Sequence, residues 1–402
     1  MASTTTGIQV LKSSYINTLS KKLECEPTPI NREFFLPIMF TNYDYSIVNA
    51  LRRIGTTELE TYAFDPKHIK IMNNISQYNS EVLIDRLGFI TLNQQIKNLS
   101  EMTFFLCDEH DPEKPLKNTT SKVLDVSVYK YLKVFTTKTP THEGIKVISP
   151  HDSLLMTLNP NESIHVMMTP IKGTGRQHAR WQSSIIMYKF GTEGDRIMNK
   201  PNPPEDLIET NKQQMAYIGS EQKIPVDIIL TIESIGKIPS ELILQQSIKH
   251  LIQKIEVIKN LLIKPNLRDE MDLFLSDQEK VLISDKTLDG LLVKLKINGE
   301  DHTLGHVLEY ACMTHLWHLI HAQIPKEEDQ YRVRSESLCV YRKPHPLDDY
   351  IELIVRLPQT PLQINPVSRD HSLVMSFIIE SLTWFLKEVC QVMSKQIDNL
   401  FG

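Results

Sequence analysis

Apolar residues recur along this chain in two rhythms, and the same sequence of rhythms occurs near each end. Near the N-terminus, Phe34-Phe35-Leu36-Pro37-Ile38-Met39-Phe40 is an unbroken apolar run. It predicts a strand over about Ile30–Phe40, with Pro37 at an edge or a bulge because proline brings no N–H to a ladder. Thr41-Asn42-Tyr43-Asp44 then offers N-cap residues. Tyr45, Val48, Leu51 and Ile54 repeat at helical spacing, which leaves Asn49, Arg52 and Arg53 on a neighbouring face. Near the other end, the strand-like Leu291–Ile297 leads into Glu300-Asp301-His302-Thr303-Leu304-Gly305-His306-Val307-Leu308, a capped helix from about Thr303. The plan repeats with unlike residues.

Each copy closes on a long amphipathic helix. In the first, Pro225–Ile235 alternates (Val226, Ile228, Leu230, Ile232) as a half-buried strand, and a helix follows over Ser240–Ile263. Its seam is Leu244, Ile248, Leu251, Ile255, Ile258 and Leu262. In the second, strands over Ser337–Arg342 and Tyr350–Leu357 precede a helix with Met375, Ile378, Leu382, Phe385, Val389 and Val392 on one seam. One stripe cannot bury itself. At 1.5 Å per residue such helices span roughly 35 Å, so two at matched positions are natural partners. This reading puts Leu244, Ile248, Leu251, Ile255, Leu304, Val307, Leu382, Phe385 and Val389 at an interface between the halves.

Between the copies the rhythm changes. Short β-like runs (His68–Met72, Val123–Val128, Ser163–Met168) are separated by Pro- and Asn-bearing turns, which predicts an inserted β-rich domain. The polar stretch Gly191–Gln222, with Pro201-Asn202-Pro203-Pro204, reads as its exit loop. Lys264–Asp289 is charged and aperiodic and reads as a linker. The fold class expected is α+β, with two dimerisation modules of antiparallel sheet plus helices paired within one chain. The first module takes residues 1–61 and 223–263, the insert 62–222, the linker 264–289 and the second module 290–402.

Composition narrows the classes of function. The chain has 402 residues, 41% of them apolar, and a net charge of −5, so no global basic field marks a free-standing nucleic-acid binder. Its five cysteines are scattered and form no CxxC pair, which fits reduced thiols in an intracellular protein. No secretory leader and no run of about 18 apolar residues is visible, so a membrane role is not expected.

Two clusters invite chemistry. His302 and His306 stand four apart, with Cys312, His315, His318 and His321 beyond them. Zinc needs about four convergent ligands, whereas these drift round a helix broken by Leu316, Leu319 and Ile320. Gly173 and Gly175, flanked by Lys172 and Arg176, resemble a phosphate-cradling turn without the Gly-Lys-Ser/Thr ending of a P-loop. A free-standing metal- or nucleotide-dependent enzyme built on His302, His306 and the Gly173–Gly175 loop is therefore the alternative reading. No catalytic signature, cofactor or metal set is expected.

The motifs together resemble a known family. Asn49-Ala50-Leu51-Arg52-Arg53, then Asp85-Arg86-Leu87-Gly88-Phe89-Ile90-Thr91-Leu92, then Lys172-Gly173-Thr174-Gly175-Arg176-Gln177-His178-Ala179-Arg180-Trp181 are similar to the larger alpha-like subunit of cellular RNA polymerases. Asp85 and Thr91 stand where that family has His and Pro. Glu300–Gly305 and Pro344-His345-Pro346-Leu347 are similar to the smaller alpha-like subunit, with His306 in place of the usual Asn. The family's cysteine-rich zinc loop has only Cys107 near its place. The resemblance implies a non-catalytic assembly subunit of a DNA-directed RNA polymerase, a fusion of two chains that are separate in cellular enzymes. Fused forms of this kind are similar to those of large cytoplasmic DNA viruses, which implies viral transcription in host cytoplasm and virion. The implied partners are the largest and second-largest polymerase subunits and small zinc-binding subunits, with DNA and RNA met only indirectly. Asn49, Arg52, Arg53, Arg86, Lys172, Arg176, His178, Arg180 and Trp181 are the partner-docking residues it implies.

Overall fold

The computed structural model describes residues 6–11, 34–96, 99–109, 117–120, 124–128, 133–135, 141–142, 145–146, 154–192, 195, 226–263, 281–286, 291–359, 362–364 and 372–401. The fold is α+β, with antiparallel sheets and packed helices.

The chain opens with β1 (Gly7–Val10), β2 (Phe35–Thr41) and helix α1 (Tyr45–Thr57). Asp44 caps α1 by accepting the Ser46 N–H at 2.8 Å. Ile47, Val48, Ala50, Leu51 and Ile54 face inward. Tyr45, expected on that face, is 48% exposed because the stripe is centred one residue later, on Ile47 and Val48. The insert follows: β3 (Glu60–Asn74), α2 (Ser80–Gly88), β4 (Met102–Glu109), β5 (Lys117–Thr120), β6 (Leu124–Val128), β7 (Lys133–Phe135), β8 (Thr141–His142), β9 (Ile145–Lys146), β10 (Leu154–Leu158) and β11 (Ser163–Thr174). Its five-stranded sheet runs β3-β11-β4-β6-β7. Phe64, Leu83, Leu87, Phe104, Leu106 and Ile164 form part of a core of its own.

The chain then returns to the first module through β12 (Ser184–Phe190), β13 (Asp227–Ser234) and α3 (Ser240–Ile263). That sheet runs β1-β2-β13-β12. Two sequence expectations change here. β12 falls within the expected insert, residues 62–222, yet its seven residues pair with β13 from Ser184↔Ser234 to Phe190↔Ile228, so the insert ends before Ser184. Pro37 lies in an interior strand, not at an edge. Its carbonyl accepts from Leu11 N just past the last β1 pairing, Val10↔Ile38. The missing N–H therefore faces the side where the ladder has ended. Most of the Gly191–Gln222 loop lies outside the described residues.

The second module comprises β14 (Val281–Lys286), β15 (Leu292–Asn298), α4 (His302–Gln323), α5 (Glu327–Glu336), β16 (Leu338–Arg342), β17 (Tyr350–Arg356), α6 (Leu373–Phe385) and α7 (Gln391–Phe401). Its sheet runs β14-β15-β17-β16. β14 falls inside the expected linker and corrects it: Val281 and Ile283 pair with Ile297 and Leu295, a short apolar alternation that charged neighbours conceal. Residues 264–280 and 287–289 of that linker lie outside the described residues. The two modules also share a turn. Asn42 and Gly299, each two residues before a helix cap, adopt left-handed φ of 60° and 71°, the region Asn and Gly tolerate best.

A π-helical turn, Leu386–Cys390, joins α6 to α7. One extra residue per turn moves the buried seam from the expected Val389 and Val392 onto Leu386, Cys390, Met393 and Ile397; Val389 is only partly buried. A single hydrophobic core spans both modules. Leu244, Ile248, Leu251 and Ile255 of α3 share it with Leu304 and Val307 of α4 and Leu382 and Phe385 of α6. Helix α1 packs on α4, and α3 packs on α6, the π turn and α7.

Candidate functional site

Of the motif residues, Arg53 and Arg176 reach the second module, and most of the others are engaged within the first module and its insert. Arg53 Nη2 lies 2.8 Å from Asp301 Oδ2, and its Nε donates to Thr303 Oγ1. Asp301 is also the cap of α4, accepting the Thr303 N–H at 2.8 Å. Burial acts to raise the Asp301 carboxyl, but the Thr303 bonds and the Arg53 charge outweigh it and hold the group at about 2. Arg53 was expected to dock an outside partner; it clamps the first module to the helix cap of the second. Its neighbour Arg52 turns away, donating Nε to Asn49 Oδ1 at 2.9 Å. An adjacent pair on a helix diverges by about 100°, so one arginine serves each direction.

A second crossing was missed by sequence reasoning. Lys254 of α3 reaches Glu58 at 2.5 Å and Glu300, the residue before the α4 cap, at 3.0 Å. The Glu300 side chain is 2% exposed. His250 adds a contact to Glu58 at 3.3 Å. Burial would raise the Glu58 carboxyl, but His250 and Lys254 together bring it below its ordinary value. The available signal was the position of Lys254, three residues after Leu251 on the flank of an apolar seam.

The glycine turn is a packing device. A Cβ on Gly173 would meet the Trp181 ring at 2.5 Å, and one on Gly175 would meet Thr56 O at 2.8 Å. Trp181 Nε1 donates to Ile171 O at 3.1 Å. The Arg180 guanidinium donates to Phe64 O at 3.2 Å and to His178 Nδ1 at 3.1 Å, in the space that the absent side chain of Gly88 leaves. The Lys237 ammonium lies beneath, donating to Arg180 O, and burial lowers its pKa to about 7. Arg180 and Trp181, expected at a docking surface, are only 6% and 7% exposed, so they hold the turn from inside. His178 stays exposed beside Phe89, 5.9 Å between ring centroids. The backbone N–H of Arg176 donates to Thr57 O, and so is not offered to a phosphate.

The histidines are likewise committed to packing. His302 Nδ1 lies 3.1 Å from the Tyr341 hydroxyl, and the His306 ring sits edge-on to Tyr341 at 4.7 Å. His315 is buried, stacked between Phe377 and Trp384, with Nδ1 3.0 Å from Ser381 Oγ. Burial, helped by His318, lowers it to about 4. No group of three or more metal-ligating side chains occurs among the described residues. These contacts give no geometry to the metal- or nucleotide-dependent alternative.

What faces outward is narrower than the motif set. Arg52 and Asn49 lie on α1. Arg86 is exposed on α2, though one nitrogen donates to Leu155 O at 2.9 Å. Lys172 pairs loosely with Glu60 at 3.8 Å, and Arg176 reaches Asp349 of the second module at 3.3 Å. Beside this last contact lies a cleft of about 710 Å³, lined by Thr57, Glu58, Arg176, Gln246, Lys249 and His250 among others. At the tip of the β16–β17 connection Leu347 is 88% exposed. A leucine so placed in a motif is an outward knob that sequence reasoning left without a role.

Comparison with known proteins gives these features a family. The model of the RNA polymerase Rpb3/Rpb11 dimerisation domain matches residues 38–255, more than half of the chain. The DNA-directed RNA polymerases II, IV and V subunit 3 of Arabidopsis thaliana is 27% identical over 42% of this chain and 54% of that protein. The Rpo3 subunit of the Pyrobaculum aerophilum enzyme is 25% identical over 39% of this chain and 59% of its own length. The DNA-directed RNA polymerase II subunit rpb3 of Dictyostelium discoideum is 25% identical over 52% and 69%. The chain thus spans between half and three-fifths of the first two relatives. No described helix is long and apolar enough to cross a membrane. With the matched segment running from β2 to α3, through both arginines of α1 and the glycine turn, the chain belongs to the family of the RNA polymerase Rpb3/Rpb11 dimerisation domain.

Proposed function

We propose that the chain is a non-catalytic assembly subunit of a multisubunit DNA-directed RNA polymerase, made of two alpha-like halves that pair within one molecule. The first half is the first module with its insert, of the larger alpha-like type. The second half, residues 281–401, is of the smaller type; this rests on Glu300–Gly305, Pro344–Leu347 and the sheet-and-helix plan they sit in. The observation that carries the reading is the single core joining Leu244, Ile248, Leu251 and Ile255 to Leu304, Val307, Leu382 and Phe385. An asymmetric pair offers a different face to each large subunit. A covalent link holds the halves at roughly millimolar mutual concentration, so pairing survives dilution. Asn49, Arg52, Arg86, Lys172, Arg176 and His178 form the docking face for the second-largest and largest subunits, where arginine forks bind carboxylates and carbonyl oxygens. Small zinc-binding subunits are further partners on this reading, nucleic acid is approached only through them, and the fused plan supports a viral setting in cytoplasm and virion.

Two experiments test it. Co-purification from cells expressing the chain should recover large polymerase subunits, and Arg52→Glu should cut that recovery at least tenfold without moving the thermal unfolding midpoint. Recovery that is nil for both proteins, or unchanged in Arg52→Glu, removes the docking face. A protease site placed between Ile263 and Val281 should, once cut, leave the halves associated at micromolar concentration. Their separation would end the internal-pair reading.

A further inference from the structure

The two halves exchange roles across their junction, residue by residue, counted from the helix caps. Asp44 caps α1 and Asp301 caps α4, each accepting an N–H two residues on. The residue before the cap is Tyr43 in the first half and Glu300 in the second. Each reaches the closing helix of the other half. The Tyr43 hydroxyl donates to Gln396 Oε1 of α7 at 3.0 Å, and Glu300 Oε2 accepts from Lys254 Nζ of α3 at 3.0 Å. Nine residues past the first cap, Arg53 crosses the junction as well and holds Asp301 at 2.8 Å. Counted from the caps, Tyr43 and Glu300 hold the same place and carry different chemistry.

That difference bears on which pairs can form. In a pair of two second halves, Glu300 would meet the amide of Gln396 where it now meets an ammonium. Its side chain is 2% exposed, and a carboxylate so enclosed is strongly disfavoured once its cation is taken away. In a pair of two first halves, Lys254 would meet the phenol of Tyr43 and keep only Glu58. Only the unlike pair matches a carboxylate with an ammonium at one site and a hydroxyl with an amide at the other. Selectivity of this kind comes as much from the mismatch imposed on wrong pairs as from the contact made in the right one. We propose that Glu300 with Lys254, set against Tyr43 with Gln396, is a pairing code that admits a first half against a second half and rejects like halves from a second copy of this chain. This rests on the internal pairing proposed above.

The full chain, carrying the protease site between Ile263 and Val281, is cut after folding. Isotope-labelled and unlabelled preparations are mixed in enough urea to exchange fragments, returned to buffer and weighed by native mass spectrometry. Mixed-label unlike pairs report that exchange took place. For the unaltered sequence nearly all pairs are unlike. Glu300→Gln, which removes the charge and keeps the shape, is expected to raise pairs of two second halves at least tenfold. Glu81→Gln, the same change at an exposed position of the insert helix α2, serves as the neutral control. If Glu300→Gln fails to assemble, Lys254→Gln gives the second route: it removes the preference from the other side and raises pairs of two first halves. An unaltered fraction of like pairs in Glu300→Gln and in Lys254→Gln overturns the code while leaving internal pairing intact. Cut halves of the unaltered protein that do not pair at all overturn both.

Discussion

Removing the Arg53 side chain by Arg53→Met tests whether this arginine clamps the chain to itself. Asp301 titrates at about 2, against an ordinary 3.8. At 1.36 kcal/mol for each pH unit, the folded state favours the Asp301 carboxylate by about 2.5 kcal/mol. Burial works against that figure, and the Thr303 hydroxyl and N–H share the credit with Arg53. The Arg53 side chain is 38% exposed, so solvent screens part of its charge. About 1.5 kcal/mol is therefore the loss expected from Arg53→Met near neutral pH. Urea unfolding followed by circular dichroism reads it: with an m-value of about 3 kcal/mol per molar, the midpoint falls by about 0.5 M. The pH dependence carries the sign. A carboxyl whose folded pKa is depressed contributes its full stability above its unfolded value, and loses it as pH falls through the folded value. The gap between the two proteins should be flat from pH 5 upwards and narrow below about pH 4. Arg53→Lys keeps a point charge but not the fork to Asp301 and Thr303, and should recover only part of the loss. A free chain whose stability ignores Arg53→Met, or a gap as wide at pH 3 as at pH 7, would show the clamp to be wrong.

Other outcomes follow from the same contacts. Gly173→Ala drives a methyl into the Trp181 ring and should cost about 1–3 kcal/mol, read by thermal unfolding; a neutral effect would mean the turn has room to spare. His315, lowered by burial to about 4, is kept neutral by the fold, so its contribution is present above about 6.5 and fades as pH falls towards 4. The folded protein should lose about 2 kcal/mol from this residue between pH 7 and pH 5; His315→Phe, which preserves the stack, should lack that loss in urea titrations at the two pH values. Among the described cysteines, burial raises Cys339 and Cys390 to about 12 and pushes Cys312 well above its ordinary value, whereas Cys107 is exposed. Iodoacetamide followed by peptide mapping should therefore modify Cys107 well before those three, and early labelling of Cys312 would contradict the core as described.

Legibility varied with how local the cause was. Helix α3 runs over Ser240–Ile263 in the structure as in the sequence reading, because its seam and the preceding Pro239 are local signals. The places of β12 and β14 are not legible locally because their pairing partners lie 38 or more residues away in β13 and 7 to 16 residues on in β15, and nothing in a strand's own residues names its neighbour. Arg52 and Arg53 are alike in type and adjacent in sequence. What separates them is Asp301, 248 positions later, which composition cannot point to. Arg180 and Trp181 read as docking residues because motifs mark importance without saying whether it is exerted inward or outward. The glycines of the same motif settle that question only once the Trp181 ring is seen where a Cβ would go.

The π turn between α6 and α7 has a consequence for the length of the chain. Ahead of it, α6 lies against α4 and the sheet of its own module as well as against α3; past it, α7 lies against α3 and β1 of the other. The turn takes up one surplus residue that an unbroken α-helix would express as a rotation of about 100°, and so keeps Cys390, Met393 and Ile397 on the buried face begun by Leu382 and Phe385. A further residue inserted between Cys390 and Met393 would have no such turn to absorb it, turning Met393 and Ile397 towards water and carrying Gln396 away from Tyr43. Substitutions, and even the loss of one residue, are absorbed at such a turn, but a further insertion rotates the whole terminus. The C-terminal fifteen or so residues are in this sense phased like a gear tooth, and sequence length there is under tighter physical constraint than sequence identity.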